Sequence, residues 1–412
     1  MPTVYNSCLS IILYGLYYFG RCLGIVCFVY HKSERRVKAT CSVYSFNMAM
    51  LLITGTFMPI AVYILYNEMV FLRQSQLLTY VGHMRYGIIL LCTLATQFMQ
   101  LHWRHAIIAS VNKMLHLSHL HLGRSNFMNC WVAWKVVAKC ITLGLQFLLV
   151  IFLIGHDDAV SRPWYLTTLI YVTYCQLVLQ MTLNILYFGL MLMTLIMRQL
   201  NQYLIDVLHQ LRTLAHHRGG LHRQHVARLH NQLYHIMVNH WTLVKVSGSF
   251  VGLYGWQLLS FLTFVIEESV TQIFIVYFVA MILRRQHPPN VADGAEASDR
   301  PWLIHPISVL YVSGMLWDVF LIMGLLDEMR LEFLRTRFWF CSSIWLKALT
   351  SPSNQCLENC LSHFNLYLLR VQPWVSYSAC GLFTFDKQVA LSLLERIFLY
   401  VILLIQFHLI SN

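Results

Sequence analysis

Charge is what this chain has least of. Asp, Glu, Lys and Arg make up only 11% of its 412 residues, whereas a soluble chain carries roughly 25%. Hydrophobic residues reach 58% and the mean hydropathy is +0.58, so most of the chain is expected to lie in lipid rather than in water. Acids are scarcer still, 17 against 29 Lys and Arg, which leaves a net charge of +12. A basic excess of that size can mark a nucleic-acid partner. Here the bases gather in some loops and thin out in others, which is a topological pattern, so no nucleic acid is expected and the basic loops should lie against anionic lipid. No secretory leader is expected either: the first residues lack a basic n-region and a small-residue cleavage site, and the early apolar run is broken by Arg21. Finally, the 12 cysteines form no pairing framework. Cys92, Cys140 and Cys175 sit inside apolar runs, and no structural disulfide is expected.

What the chain does have is long apolar runs. About 20 such residues cross a bilayer, and runs of that kind fall near 42–66, 77–100, 134–155, 164–197, 247–283, 303–326 and 387–410. These predict an all-α, seven-span bundle. The segment Cys8–Tyr30 contains Gly15, Gly20, Arg21 and Gly24 and favours an interfacial helix. The basic cluster Lys32, Arg35, Arg36 and Lys38 follows it and should hold the N-terminus inside, which puts the C-terminus outside. Loop charges agree: the inner segments hold Arg198, Arg212, Arg218, Arg223 and Arg228 together, while the outer loops dilute Arg162 and Arg300 with Asp157, Asp158, Asp293, Glu296 and Asp299. Arg284 and Arg285 run against that bias.

The domain reading is then an N-terminal cytoplasmic or interfacial segment over 1–41, a six-helix sensing domain over 42–327, a cytoplasmic anchor over 328–385 and a pore-lining helix over 386–412. Within the second part, residues 198–245 carry Leu200, Leu204, Leu208 and Leu211 at helical spacing and predict cytoplasmic helix extensions. An amphipathic run from Cys356 to Leu369 predicts another helix.

Twenty histidines raise the question of a metal. His102 and His105, then His116, His119 and His121, then His216 and His217, resemble the short boxes that bind paired iron in membrane oxidases and hydroxylases. No cytoplasmic carboxylates frame them, and Asp206 is almost the only acid between Asp158 and Glu267. The reading adopted is therefore no metal, no cofactor and no enzyme.

A small-molecule pocket is a better use of the outer half-helices. They contain His83, Arg85, Tyr86, Tyr165, Thr168, Tyr171, Glu267, Gln272, Tyr311 and Trp317, aromatic rings with a few polar groups, which suit an amphipathic ligand. Arg85 and Glu267 are also candidates for a structural pair. Aromatic residues collect at bilayer interfaces as anchors, so each of these positions has an alternative explanation.

The last stretch is the most informative. At about 100° per residue, Gln388, Ser392, Glu395, Leu399, Leu403, Gln406 and Ile410 form one stripe. A helix with Glu395 and Arg396 inside its apolar run should not face lipid with them. Repeated around a symmetry axis, the stripe would give a water-filled lumen with a leucine constriction. The assigned lining is Ser392, Glu395, Leu399, Leu403 and Gln406, with Tyr400 and Phe407 on the packing side.

The run Leu399–Phe407, LYVILLIQF, resembles the terminal signature of insect gustatory receptors: Thr-Tyr, five hydrophobic residues, then Gln-Phe. Leu399 stands where that signature has threonine. Gly381 and Phe383, with Asp386, resemble the turn that precedes the helix in the same family. The resemblance implies a ligand-gated cation channel for small tastants, with a tetramer of like or related subunits around a central pore. It further implies a cytoplasmic hub beneath the pore, a gate at Leu403 and residence in the plasma membrane of sensory neurons. Aromatic-rich outer halves fit bitter or pheromone-like molecules better than sugars. A seven-helix receptor coupled to G proteins is the rival reading, and it requires the N-terminus outside.

Overall fold

The architecture comes from a computed structural model, which describes residues 2–68, 76–122, 130–155, 163–214, 222–286, 300–342, 355–371, 377–379, 383–384 and 387–411. Those residues are almost wholly helical. In order they are α1 (Pro2–Cys22), the strands β1 (Val29–His31) and β2 (Arg36–Lys38), α2 (Cys41–Glu68), α3 (Gln76–His102), α4 (Arg104–Leu122), α5 (Cys130–Gly155) and α6 (Pro163–Leu214). The second half holds α7 (His222–Leu253), α8 (Gly255–Gln286), α9 (Arg300–Ser342), α10 (Gln355–Val371), the short strands β3 (Ser378–Ala379) and β4 (Phe383–Thr384), and α11 (Lys387–Ser411). The amphipathic run expected at Cys356–Leu369 is α10.

Helix α6 is the pillar. Its 52 residues span about 78 Å at about 1.5 Å per residue, far more than the roughly 30 Å of a bilayer's hydrocarbon. Over 163–197 its sequence is largely apolar on every side, as a helix surrounded by neighbours must be. Accordingly, 78% of its apolar stretch is buried, against 17% in α2 and 22% in α11. Tyrosines fasten the neighbours to it. Tyr171 Oη donates to the carbonyl of Thr54 in α2, Tyr174 Oη to that of Leu23, and Tyr187 Oη to that of Lys135 in α5. Where α6 meets α7 a glycine is required: a Cβ on Gly189 would come within 2.5 Å of the Phe250 ring.

Six helical stretches among the described residues are long and apolar enough to cross a membrane, in α2, α5, α6, α8, α9 and α11. Seven were expected. The span expected near 77–100 is α3, which is not among these six and carries His83, Arg85, Gln97 and Gln100 along its 27 residues. Helix α3 nonetheless packs into the bundle, chiefly against α8.

The N-terminal strands form a hairpin, Tyr30 opposite Val37. Both backbone groups of Val37 are held by the Asn112 side chain of α4, at 2.8 and 3.0 Å.

Below the long spans, α7, α9 and α10 close around one histidine. His240 is 1% exposed, its Nδ1 shares a 2.7 Å hydrogen bond with Tyr367 Oη, and the rings of Phe333, Phe364 and Tyr367 surround it. Burial pushes its pKa down from 6.5 to about 3, because a charged imidazole has no water there. Between those two values the unfolded chain binds a proton that the folded chain refuses, so stability falls as pH falls. The slope approaches about 1.4 kcal/mol per pH unit. Unfolding midpoints measured from pH 7 to pH 4 should therefore drop more steeply in the wild type than in His240→Phe, which keeps an apolar ring and loses the titration.

Candidate functional site

Three groups of residues stand out, and the first is α11. Its packed face is Ala390, Leu393, Ile397, Val401 and His408, all buried against the rest of the chain. His408 closes this face by stacking edge-on against Phe274, Tyr277 and Phe278 of α8, with centroids 5.3–6.3 Å away. At the other end, Lys387 Nζ reaches Asp327 of α9 at 3.4 Å. The stripe Gln388, Ser392, Glu395, Leu399, Leu403, Gln406 and Ile410 lies on the opposite side of the helix, about 160–180° round at about 100° per residue, and every member is exposed. Helix α11 thus turns its polar stripe away from its own bundle. Tyr400 and Phe407 are exposed as well, 46% and 61%, so the packing assigned to them is not made within one chain. Gly381 lies outside the described residues. Phe383 is in β4, opposite Ala379.

The second group lies between α3, α8 and α9. Arg85 grips Glu268 with two charge-assisted bonds, Nε to Oε2 at 2.7 Å and Nη2 to Oε1 at 2.5 Å. The sequence pointed to Glu267 as its partner. The pair is instead with Glu268, because one residue turns an α-helix by about 100° and it is Glu268, 0% exposed, that α8 turns inward. Gln272, one turn on, donates to the same carboxylate at 2.9 Å. Glu267 accepts from Thr271 at 2.9 Å through Oε1, while its Oε2 has no hydrogen-bond partner. Tyr311 is buried, within electrostatic reach of Arg85 and Glu268, and its hydroxyl is likewise without a partner.

Five residues therefore come together: Arg85, Glu267, Glu268, Gln272 and Tyr311. Of the remaining pocket candidates only Tyr86 lies against them, its ring 5.4 Å from the Arg85 guanidinium. Tyr171 is spent on α2 and Thr168 bonds back to the Trp164 carbonyl at 2.9 Å. His83 Nδ1 lies 2.6 Å from the Thr79 carbonyl, Trp317 is 54% exposed and Tyr86 is buried beside Arg85. The side chain of Tyr165 lies outside the described residues.

The third group was missed in the sequence. Lys139 of α5 and Asp318 of α9 form an ion pair at 2.9 Å with both side chains at most 4% exposed, and Gln146 Nε2 lies 3.4 Å from the same carboxylate. Farther along α9 the pairing continues through Lys135–Glu328 at 2.7 Å, Arg198–Glu332 at 2.9 Å and Arg335–Glu332 at 2.7 Å. Arg198 also lies 3.9 Å above the Trp131 ring. Asn201 donates to Glu332 and accepts from Thr336. A charged residue inside each of two apolar helices was the available signal, since such groups are costly unless paired.

Among the described residues, no group of three or more His, Cys, Asp and Glu side chains is placed to hold a metal ion.

A bundle of long apolar helices with polar pairs between them is the architecture of a multi-pass membrane protein. The profile of the 7tm Chemosensory receptor family matches residues 13–411, so the chain belongs to that family. A Drosophila melanogaster protein assigned as gustatory receptor 77a is 24% identical over 407 residues, covering 92% of this chain and 86% of its own. The insect olfactory receptor OR5 from Machilis hrabei superposes with a TM-score of 0.63 at 12% identity, covering 97% of this chain and 98% of its own. The same receptor in complex with eugenol gives 0.58 at 12% identity, with the same coverage. Membership of a receptor family also answers the histidine boxes: the chain is a receptor and not an iron oxidase.

Proposed function

We propose that this chain is a ligand-gated cation channel that detects small tastants in the plasma membrane of sensory neurons. In this reading four subunits, alike or related, surround a central pore, each contributing α11. The observation that carries it is the orientation of α11, whose polar stripe faces away from the packed side of its own bundle. A lone helix would expose Gln388, Ser392, Glu395 and Gln406 to lipid at considerable cost. Around an axis they line water instead, and Leu403 and Leu399 form the apolar constriction that closes by dewetting.

The topology follows the loop charges, with the N-terminus inside and the C-terminus outside. Helices α6 and α7 then extend into the cytoplasm, where with α10 they build the hub between subunits, and membrane lipid surrounds the spans. Glu395 near the inner mouth favours cations. The ligand site is the group around Arg85, Glu268 and Tyr311. The unpartnered Glu267 Oε2 and Tyr311 hydroxyl offer one acceptor and one donor to a small amphipathic molecule, and Tyr86 supplies an aromatic wall. Bitter or pheromone-like compounds suit this better than sugars, which need many more polar partners. Helix α8 links the two sites, since it holds Glu268 and also carries the aromatic cage of His408. A ligand that binds the open arrangement better shifts the population toward it.

Leu403→Ala tests this directly. Current recorded without ligand should rise above the wild-type level, because a smaller side chain widens the constriction and lets it wet. An active channel whose leak and gating are unchanged by this substitution would sink the gate assignment.

A further inference from the structure

The cavity of about 280 Å³ beneath α1 belongs to none of the three groups above. Its wall comes from α1, the segment leading into β1, the ends of α3 and α4, the middle of α6 and the end of α7. Leu13, Val111, Met114, Leu195 and Phe250 line it, with Gln100 and Tyr254 as its main polar members. The volume lies at the small end for ligand pockets, and the lining has the usual character of one, mostly apolar with few polar groups.

Three features argue for an occupant. Gln100 is 2% exposed, and its Nε2, facing the Tyr254 hydroxyl, makes no hydrogen bond of good geometry; a buried amide donor left so is destabilising. It lies beside Tyr254, the one residue that interrupts α7 and α8. The other tyrosine of the wall, Tyr17, has its hydroxyl engaged by Phe28 and Tyr30 of the hairpin. The mouth is apolar too: Leu13 is both a lining residue and 43% exposed, and Ile11, Tyr14 and Tyr18 beside it on α1 are 69%, 42% and 59% exposed.

We propose that this cavity is a second binding site, for a slim apolar molecule carrying one hydrogen-bond acceptor such as a carbonyl, which Gln100 receives. Two sources share that chemistry, the acyl ester of a membrane lipid and a free hydrophobic ketone or ester. The site is independent of the pore and of the Arg85 group, so it stands or falls without them.

Purified full-length protein in detergent is photolabelled with a diazirine derivative of 2-dodecanone, and the lipid that co-purifies is extracted and identified by mass spectrometry. Labelling is expected on peptides containing Met114 or Leu195. Gln100→Leu should weaken it about fivefold, as loss of one hydrogen bond does, and Val111→Phe, which fills the cavity, should abolish it. If the wild type is unlabelled but retains a lipid that Val111→Phe lacks, the membrane is the source and the site is upheld. The proposal is overturned if the wild type takes neither probe nor lipid. It is equally overturned if Val111→Phe, with an unfolding midpoint near that of the wild type, labels as the wild type does.

Discussion

Lys139→Ala is expected to be among the most damaging single substitutions in this chain. It removes the cation paired with Asp318, whose side chain is at most 4% exposed and which, among the described residues, then keeps just the Gln146 amide at 3.4 Å. Breaking a buried ion pair on one side costs about 3–5 kcal/mol, a large share of the roughly 5–15 kcal/mol that holds a protein folded. The detergent-solubilised variant should show a sharply lowered unfolding midpoint and poor monodispersity. Replacing both partners, Lys139→Met with Asp318→Leu, should recover much of the loss, because apolar groups of like size often substitute for a buried pair at little cost. A double variant no better than Lys139→Ala would show that α5 and α9 need the charges themselves.

Arg85→Leu should be of similar size and should also reach function. It strands Glu268, fully buried, with only the Gln272 amide as donor among the described residues, again at a cost of about 3–5 kcal/mol. Its further consequence comes from α8, which packs on α3 through this pair and on α11 through Phe274, Tyr277 and Phe278. Loosening α8 changes what α11 leans on. Glu268→Gln is the milder companion, keeping shape and one acceptor while discarding the charge. Thermal midpoints should rank wild type above Glu268→Gln above Arg85→Leu, and ligand-evoked current should fall in the same order. A current that survives Arg85→Leu unchanged would detach the pair from sensing and leave it a structural clamp.

Much of the fold was legible because long apolar runs have few physical outcomes. A run such as 164–197 must be a helix in lipid, since every backbone group has to be satisfied within the segment. Its continuation was legible too: Leu200, Leu204, Leu208 and Leu211 at helical spacing predict a helix past Arg198, and α6 continues to Leu214, because a helix leaving the membrane only exchanges lipid for water and protein. The break at Tyr254, which separates α7 from α8, is hidden within the run 247–283. In the site, hydropathy identified Arg85 and Glu267 as out of place in lipid, but not who pairs with whom. Pairing depends on the rotation and axial register of two helices, and a step of one residue moves the carboxylate by about 100°. The same limit hid Lys139 and Asp318. By contrast, the stripe on α11 needed only one helix to be read, and the packed face of Ala390, Leu393, Ile397 and Val401 lies opposite it.

The proposed pore therefore rests on the direction in which that stripe faces in an assembly of subunits. Single cysteines placed at Leu399, Leu403 and Gln406, and at Phe398 and Ile402 on the neighbouring face, can be treated with a charged, membrane-impermeant thiol reagent while ligand-evoked current is recorded. The account predicts block or altered conductance at the three stripe positions and little change at Phe398 and Ile402. Block confined to Phe398 and Ile402, with the stripe positions silent in conducting channels, would contradict it.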